Sequence, residues 1–344
     1  MCGIVAYVGH RQAHDVIIKG LKRLEYRGYD SAGIALLNGG LNIYKKKGKV
    51  SELEAYVKGK NLNSHIGIGH TRWATHGEPN DVNAHPHYSS TGKLAIIHNG
   101  IIENYSALKQ ELLNKGHKFL SDTDTEVFIH FIEDIKENEK CSLDEAVRLA
   151  LTKVVGAYAI VIMSLEDPDL LVAARKGSPL VVGIGKDEYF LASDATPIVE
   201  YTNEVVYLND QEVAVIDGGE LTIKNTANLP LSPYVQTIDL ELETLEGAGG
   251  YAREMTEERA ARQRELLTPY IANADALITT AAVPGRTAPM LVTQAMVEQM
   301  GHGSVVVGTV VGTMARSAGV ARTAAPSAPL LPPPVPDVDG DVVL

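Results

Sequence analysis

Cysteine is almost missing from this chain: two occur in 344 residues, Cys2 and Cys141. That excludes a disulfide scaffold and suits a reducing compartment, so the expected location is the cytoplasm. Long apolar runs are missing too. None approaches the roughly 20 residues of a membrane span, and the N-terminus lacks a signal-peptide pattern, so no membrane partner is expected. Positive charge is in deficit, 31 Lys and Arg against 43 Asp and Glu, a net charge of −12 that argues against a nucleic-acid partner. The scarcities are unevenly spread. Lysine stops at Lys224, all four Phe and the single Trp precede position 191, and Tyr270 is the last aromatic. The chain changes character near 240–251.

What is present begins at Met1-Cys2-Gly3-Ile4-Val5-Ala6. Removal of Met1 would place a thiol and a free α-amine on one residue. An α-amine has a pKa of roughly 7.7–8.0, so Cys2 can supply both a nucleophile and its base. Apolar runs at 3–8, 32–37, 41–44, 66–70 and 94–98 have the length of strands. Val16, Ile17, Leu21 and Leu24 recur at helical spacing. Further helices are expected over 105–113, 125–135 and 143–154, the last with a capping-box spacing from Ser142 to Glu145. Strands follow at 158–163, 170–174, 180–184, 189–192, 205–207 and 212–216. Helices set between groups of strands indicate an α+β fold.

Amide hydrolysis by such a cysteine needs an oxyanion stabiliser and a clamp for the substrate. Arg72, at the end of an expected strand, carries a planar fork suited to an α-carboxylate, or to an ordinary ion pair. His98-Asn99-Gly100, at a second strand end, can aim a side-chain amide and a backbone N–H at one oxyanion, or simply form a turn. Ser121-Asp122-Thr123-Asp124-Thr125-Glu126 opens a helix, where an acid can cap or can meet an α-ammonium. His85 and His87 would share one face of a strand, but no Cys or carboxylate set accompanies them and no metal site is expected. No cofactor is expected either.

These segments resemble the N-terminal glutaminase domain of the glucosamine-6-phosphate synthase family, among the class II glutamine amidotransferases. The resemblance runs through Met1–Val5, Arg27–Gly33, His70–His76 with Gly77-Glu78-Pro79, Asn83–His87, His98–Asn104, Asp122–Val127, Ala174–Leu180 and Leu191–Asp194, about the first 240 residues. It implies an N-terminal-nucleophile hydrolase fold, a four-layer αββα sandwich. It also implies that Cys2 forms a γ-glutamyl thioester from L-glutamine and releases ammonia. By resemblance Asn99 and Gly100 form the oxyanion hole, Arg72 takes the α-carboxylate and Asp124 the α-amine. Thr75, His76 and Gly77 contribute to the pocket, Arg27 sits beside the nucleophile, and Trp73 begins a closing loop. The family passes ammonia to fructose-6-phosphate in sugar-isomerase domains, for which no candidate loop is found here. Such an acceptor is expected on a separate chain, if at all. The alternative from another class is a catalytically silent glutamine-binding or scaffolding protein, favoured if Met1 is retained.

The expected domains are therefore 1–240 glutaminase, 241–251 linker with the flexible joint Gly247-Ala248-Gly249-Gly250, 252–317, and an Ala/Pro-rich tail at 318–344. The stretch from about 246 to 307, with Ile278–Arg286 and Ser304–Val307, resembles part of the α subunit of NAD(P) transhydrogenase. It lacks the glycine fingerprint of dinucleotide sites, so it is expected not to bind NAD and to be poorly ordered. The chain reads as chimeric or rearranged, joined near Gly249-Gly250-Tyr251; the alternative is a natural, divergent tail that docks on a partner.

Overall fold

A computed structural model of the chain describes residues 2–73, 77–238, 257–280, 292–301 and 303–309. The expected linker and Ala/Pro-rich tail lie outside the described residues. The chain divides into two compact units, Met1–Arg253 and Glu254–Leu344.

The first unit opens with β1 (Gly3–Val8), α1 (Ala13–Leu24), β2 (Ser31–Leu37), β3 (Leu41–Lys47), α2 (Val50–Val57) and β4 (Ile66–Arg72). It continues through β5 (His87–Tyr88), β6 (Leu94–Ile102), α3 (Tyr105–Asn114), α4 (Asp124–Glu139) and α5 (Leu143–Leu151). A strand-rich stretch completes it: β7 (Gly156–Ser164), β8 (Leu171–Lys176), β9 (Val181–Gly185), β10 (Glu188–Ala192), β11 (Glu204–Tyr207), β12 (Glu212–Asp217), β13 (Glu220–Asn225), β14 (Pro230–Leu231) and β15 (Gln236–Thr237).

These strands form two antiparallel sheets. One has the order β15-β11-β9-β10-β1-β4-β2-β3, the other β14-β13-β12-β8-β7-β6-β5. Side-chain alternation explains the layers. Ile4, Ala6 and Val8 of β1 meet Ala95, Ile97, Ala159, Val161 and Met163 of the other sheet. Val5 and Tyr7, pointing the opposite way, pack with Ile17, Leu21 and Leu24 of α1 and Leu53 of α2. Likewise Ile160 and Ile162 of β7 turn outward onto Phe128, Ile132 and Val147 of α4 and α5. The result is helix, sheet, sheet, helix. The central strands are apolar on both faces because both are covered, and each fully buried Ile or Leu contributes roughly 1.5–3 kcal/mol.

The α+β sandwich expected from the sequence is present, with local corrections. Asn99 and Gly100 do not sit at a strand end: β6 runs on to Ile102, pairing with Gly156 of β7. A φ of 129° at Gly100 lets the strand continue in an uncommon conformation. The Ser142 capping box does not form: the Ser142 side chain makes no capping bond, and its hydroxyl donates to Asp144 Oδ1. His85 and His87 do not share a strand face, since β5 begins only at His87. The helix α2, whose buried face is Val50, Leu53 and Val57, and the strands β13 to β15 are not among the elements expected from the sequence.

In the second unit, α6 (Glu257–Ala272) precedes β16 (Ala276–Thr280), α7 (Gln294–Val297) and β17 (Val305–Thr309). The two strands pair in parallel, which requires a crossover between them. Ile271 and Met296 are buried apolar side chains of this unit.

Candidate active site

Cys2 leads directly into β1, the strand held between β4 and β10. Gly3 pairs with Thr71, which brings the end of β4 beside the cysteine. The Trp73 backbone N–H donates to Cys2 Sγ at 3.1 Å. A Cβ on Gly3 would lie 2.6 Å from Thr71 Oγ1, so only glycine fits next to the thiol. Ser193, just after β10, clamps the same strand: its N–H donates to the Ile4 carbonyl and its hydroxyl accepts from the Ile4 N–H, both at 3.1 Å. Arg27 donates in turn to the Ser193 carbonyl at 3.0 Å. Burial pushes the Cys2 thiol above its ordinary pKa, partly offset by the Trp73 N–H. The sulfur is therefore a thiol at neutral pH, and a base is needed to make it attack.

The second sheet supplies Asn99. Its Nδ2 donates to the Cys2 carbonyl at 3.2 Å, and its Oδ1 lies 2.9 Å from His70 Nε2. Gly100 follows, and a Cβ there would come within 2.0 Å of the Ala157 carbonyl oxygen. Arg72, the last residue of β4, is buried and donates to the Gly77 carbonyl at 3.2 Å. Asp124, the first residue of α4, is also buried, and its Oδ2 accepts from the Ile102 N–H at 2.8 Å. Capping of α4 falls to Thr123, whose hydroxyl accepts from the Glu126 N–H. The cap is thus a hydroxyl and not an acid of the segment, and Asp124 is held by the Ile102 N–H.

These groups converge on one pocket of about 350 Å³, lined among others by Cys2, Arg27, Arg72, Trp73, Asn99, Gly100 and Asp124. It holds a thiol, an amide, a cation and an anion, a donor set suited to a small zwitterion carrying an amide. Trp73 is half-exposed at its mouth, its ring over Gly28, where φ is +98° and a Cβ would meet the indole at 2.7 Å. Thr75 and His76 lie outside the described residues. Gly77 contributes its carbonyl to Arg72.

Ser178 and Pro179 also line the pocket, and His85, His98 and Thr125 form part of its wall. Sequence reading assigned none of them a role. His70, His85, His87 and His98 are all buried, and Thr125 Oγ1 lies 2.9 Å from His85 Nε2 and 3.0 Å from His98 Nδ1. Burial holds all four below the ordinary imidazole pKa, His70 at about 3. The signal lay in the density of histidines near expected strand ends. Among the described residues no three His, Cys, Asp or Glu side chains are arranged to hold a metal ion. No helix of the described residues is long and apolar enough to cross a membrane.

Residues 55–216 match a glutamine amidotransferase domain family, and residues 207–321 match the alanine dehydrogenase/PNT C-terminal domain. The chain is 60% identical over 261 residues to the glutamine–fructose-6-phosphate aminotransferase [isomerizing] of Bacteroides thetaiotaomicron, covering 75% of this chain and 42% of that one. With the same enzyme of Chlorobaculum tepidum it is 53% identical over 262 residues, at the same coverages. The glutamine phosphoribosylpyrophosphate amidotransferase of Bacillus subtilis, solved with ADP and GMP, shares the fold with a TM-score of 0.58 at 24% identity, covering 81% of this chain and 61% of that one.

Fold and site together define an N-terminal-nucleophile amidotransferase domain of class II. The part of the chain that folds this way is similar to the glutaminase half of the glutamine–fructose-6-phosphate aminotransferases. The chain spans 42% of the length of these curated relatives. The dehydrogenase-like match begins at 207, well before the expected 246, in residues that β11, β12 and β13 build into the two sheets of the first unit.

Proposed function

We propose that the chain hydrolyses the side-chain amide of L-glutamine. The observation that carries this is the convergence of the Cys2 thiol, the Asn99 amide, Arg72 and Asp124 on one pocket. Arg72 binds the α-carboxylate and Asp124 the α-ammonium, with Thr75, His76 and Gly77 completing the pocket. Once Met1 is removed, the α-amine of Cys2 takes the thiol proton as Sγ attacks the amide carbon. Asn99 Nδ2 and the Gly100 N–H stabilise the oxyanion. The protonated amine returns the proton to the departing nitrogen, ammonia leaves, and a thioester remains. Water then attacks it, restoring the thiol and freeing glutamate. Arg27 steadies the strand of the nucleophile through Ser193, and Trp73 gates the mouth.

The same proposal sets the glutaminase domain at 1–240, the linker at 241–251, an incomplete dehydrogenase-like segment at 252–317 and a tail at 318–344. The relatives are named for amino transfer to fructose-6-phosphate; here that step belongs to a separately supplied sugar-isomerase acceptor of ammonia. Two free thiols suit a cytoplasmic setting. The test is intact mass and a glutamine-to-glutamate assay on one sample. A chain lighter by one Met that releases glutamate, but makes no glucosamine-6-phosphate with fructose-6-phosphate alone, is the expected result. A processed chain releasing no glutamate overturns the hydrolase reading, and activity with Met1 attached removes the amine as base.

A further inference from the structure

The Asn99 amide has its two ends fixed by groups on different strands. Its Nδ2 faces the Cys2 carbonyl oxygen, which can only accept, so that contact must be a donation from the amide. The oxygen of the amide is thereby turned onto His70 Nε2. A carbonyl oxygen cannot donate, so the proton in this contact must sit on Nε2. The competing arrangement puts the proton on Nδ1; the His98 backbone also approaches this ring. That arrangement would leave two lone pairs facing each other at 2.9 Å. Rotating the amide to relieve that would set its oxygen against the Cys2 carbonyl.

We propose that His70 is a positioning residue for the oxyanion amide. Its Nε2–H holds Asn99 Oδ1 and so keeps Nδ2 facing the nucleophile. The side chain is fully buried, in van der Waals stacking range of His85 at 4.4 Å between ring centres, and it is not among the residues that line the pocket. Nδ1 makes no hydrogen bond of good geometry among the described residues. A neutral ring with one usable N–H can orient an amide without adding a charge that would compete for the oxyanion. Burial supplies that neutrality, because His70 stays unprotonated down to a pH of about 3. An amide has two hydrogens on nitrogen, so the bond to the Cys2 carbonyl leaves one for the developing oxyanion.

The inference rests on Asn99 acting as an oxyanion donor, and two measurements separate its failure from the failure of that reading. In the intact wild-type chain, imidazole proton–nitrogen correlation spectra at pH 7 should find His70 protonated at Nε2 alone. A proton on Nδ1 overturns the proposal, whether or not the chain turns over glutamine. In kinetics of glutamate release, His70→Leu should lower kcat by about 10- to 100-fold while moving KM by less than about threefold. His70→Gln, whose amide N–H can reach the same point, should recover most of that loss. In an Asn99→Ala background, His70→Leu should cost less than about threefold more, because the group it positions is gone. Equal losses in both backgrounds, or a rise in KM with kcat unaltered, contradict the assignment. If His70→Leu does not fold, the Gln variant and the wild-type spectrum decide it.

Discussion

Asn99 Nδ2 and the Cys2 carbonyl oxygen are 3.2 Å apart, although Asn99 belongs to one sheet and Cys2 leads into the other. The site is therefore built across the seam of the sandwich. It depends on the two sheets keeping their relative position, which the apolar layer of Ile4, Ala6, Ile97 and Val161 maintains.

Cys2→Ser should abolish turnover while leaving the fold intact. The residue is half-buried and its Sγ accepts one bond, so the melting temperature should move by no more than about 4 °C. Glutamate release should fall by at least about three orders of magnitude. A variant with the wild-type rate would remove Cys2 from the mechanism.

Gly100→Ala should damage stability and catalysis together. The new Cβ would lie 2.0 Å from the Ala157 carbonyl oxygen, at a φ of 129° that side chains rarely adopt. Strain of this kind costs on the order of 1–3 kcal/mol, read as a lower urea midpoint, and kcat should drop at least about tenfold as the N–H shifts. An unchanged midpoint would mean that β6 can relax around the clash.

Arg72→Lys separates charge from geometry. Lysine keeps the positive charge but loses the planar fork, so KM for glutamine should rise by about 10- to 100-fold with a smaller change in kcat. Asp124→Asn should act similarly, because its amide oxygen can still accept from the Ile102 N–H. A large loss in kcat at constant KM would place either residue at the reacting amide and not at the substrate's α-carbon.

Stability should fall as the solution is acidified. Burial lowers the pKa of His70, His85, His87 and His98 in the fold, that of His70 to about 3 and those of His85 and His87 well below 6.5, whereas the unfolded chain protonates all four near 6.5. Between about pH 6.5 and 3 the unfolded state thus binds more protons, so stability is present above that window and is lost as pH drops through it. His70 alone should contribute on the order of 1 kcal/mol per pH unit between pH 6 and 4, its neighbours adding to this. Urea titrations at pH 7, 6 and 5 check it. A flat midpoint would contradict four buried neutral imidazoles.

Much of this was legible without coordinates. The thiol at position two, Arg72 and the Asn99-Gly100 pair are candidates by residue type, and it is the resemblance that singles them out from an ordinary cysteine, ion pair or turn. Strand lengths and the spacing of Val16, Ile17, Leu21 and Leu24 place α1 and the central strands within a few residues. The misreadings came where local pattern is silent. Asn-Gly suggests a turn, yet inside β6 the pairing with β7 overrides that preference and only a glycine can tolerate the resulting backbone. Ser142 has capping spacing, but a nearby carboxylate captures its hydroxyl.

What the sequence by itself determined is the reagent list and the layers: which side chains can attack, accept or clamp, and which strands must be covered on both faces. Tertiary structure alone decided that Asp124 faces the same pocket as Arg72, that Ser193 pins β1, and that His70 meets the far end of the Asn99 amide. Those relationships join residues 29 to 189 positions apart. Periodicity and propensity act over a few residues; partners at such separations are set by how two sheets pack, a property of the whole chain.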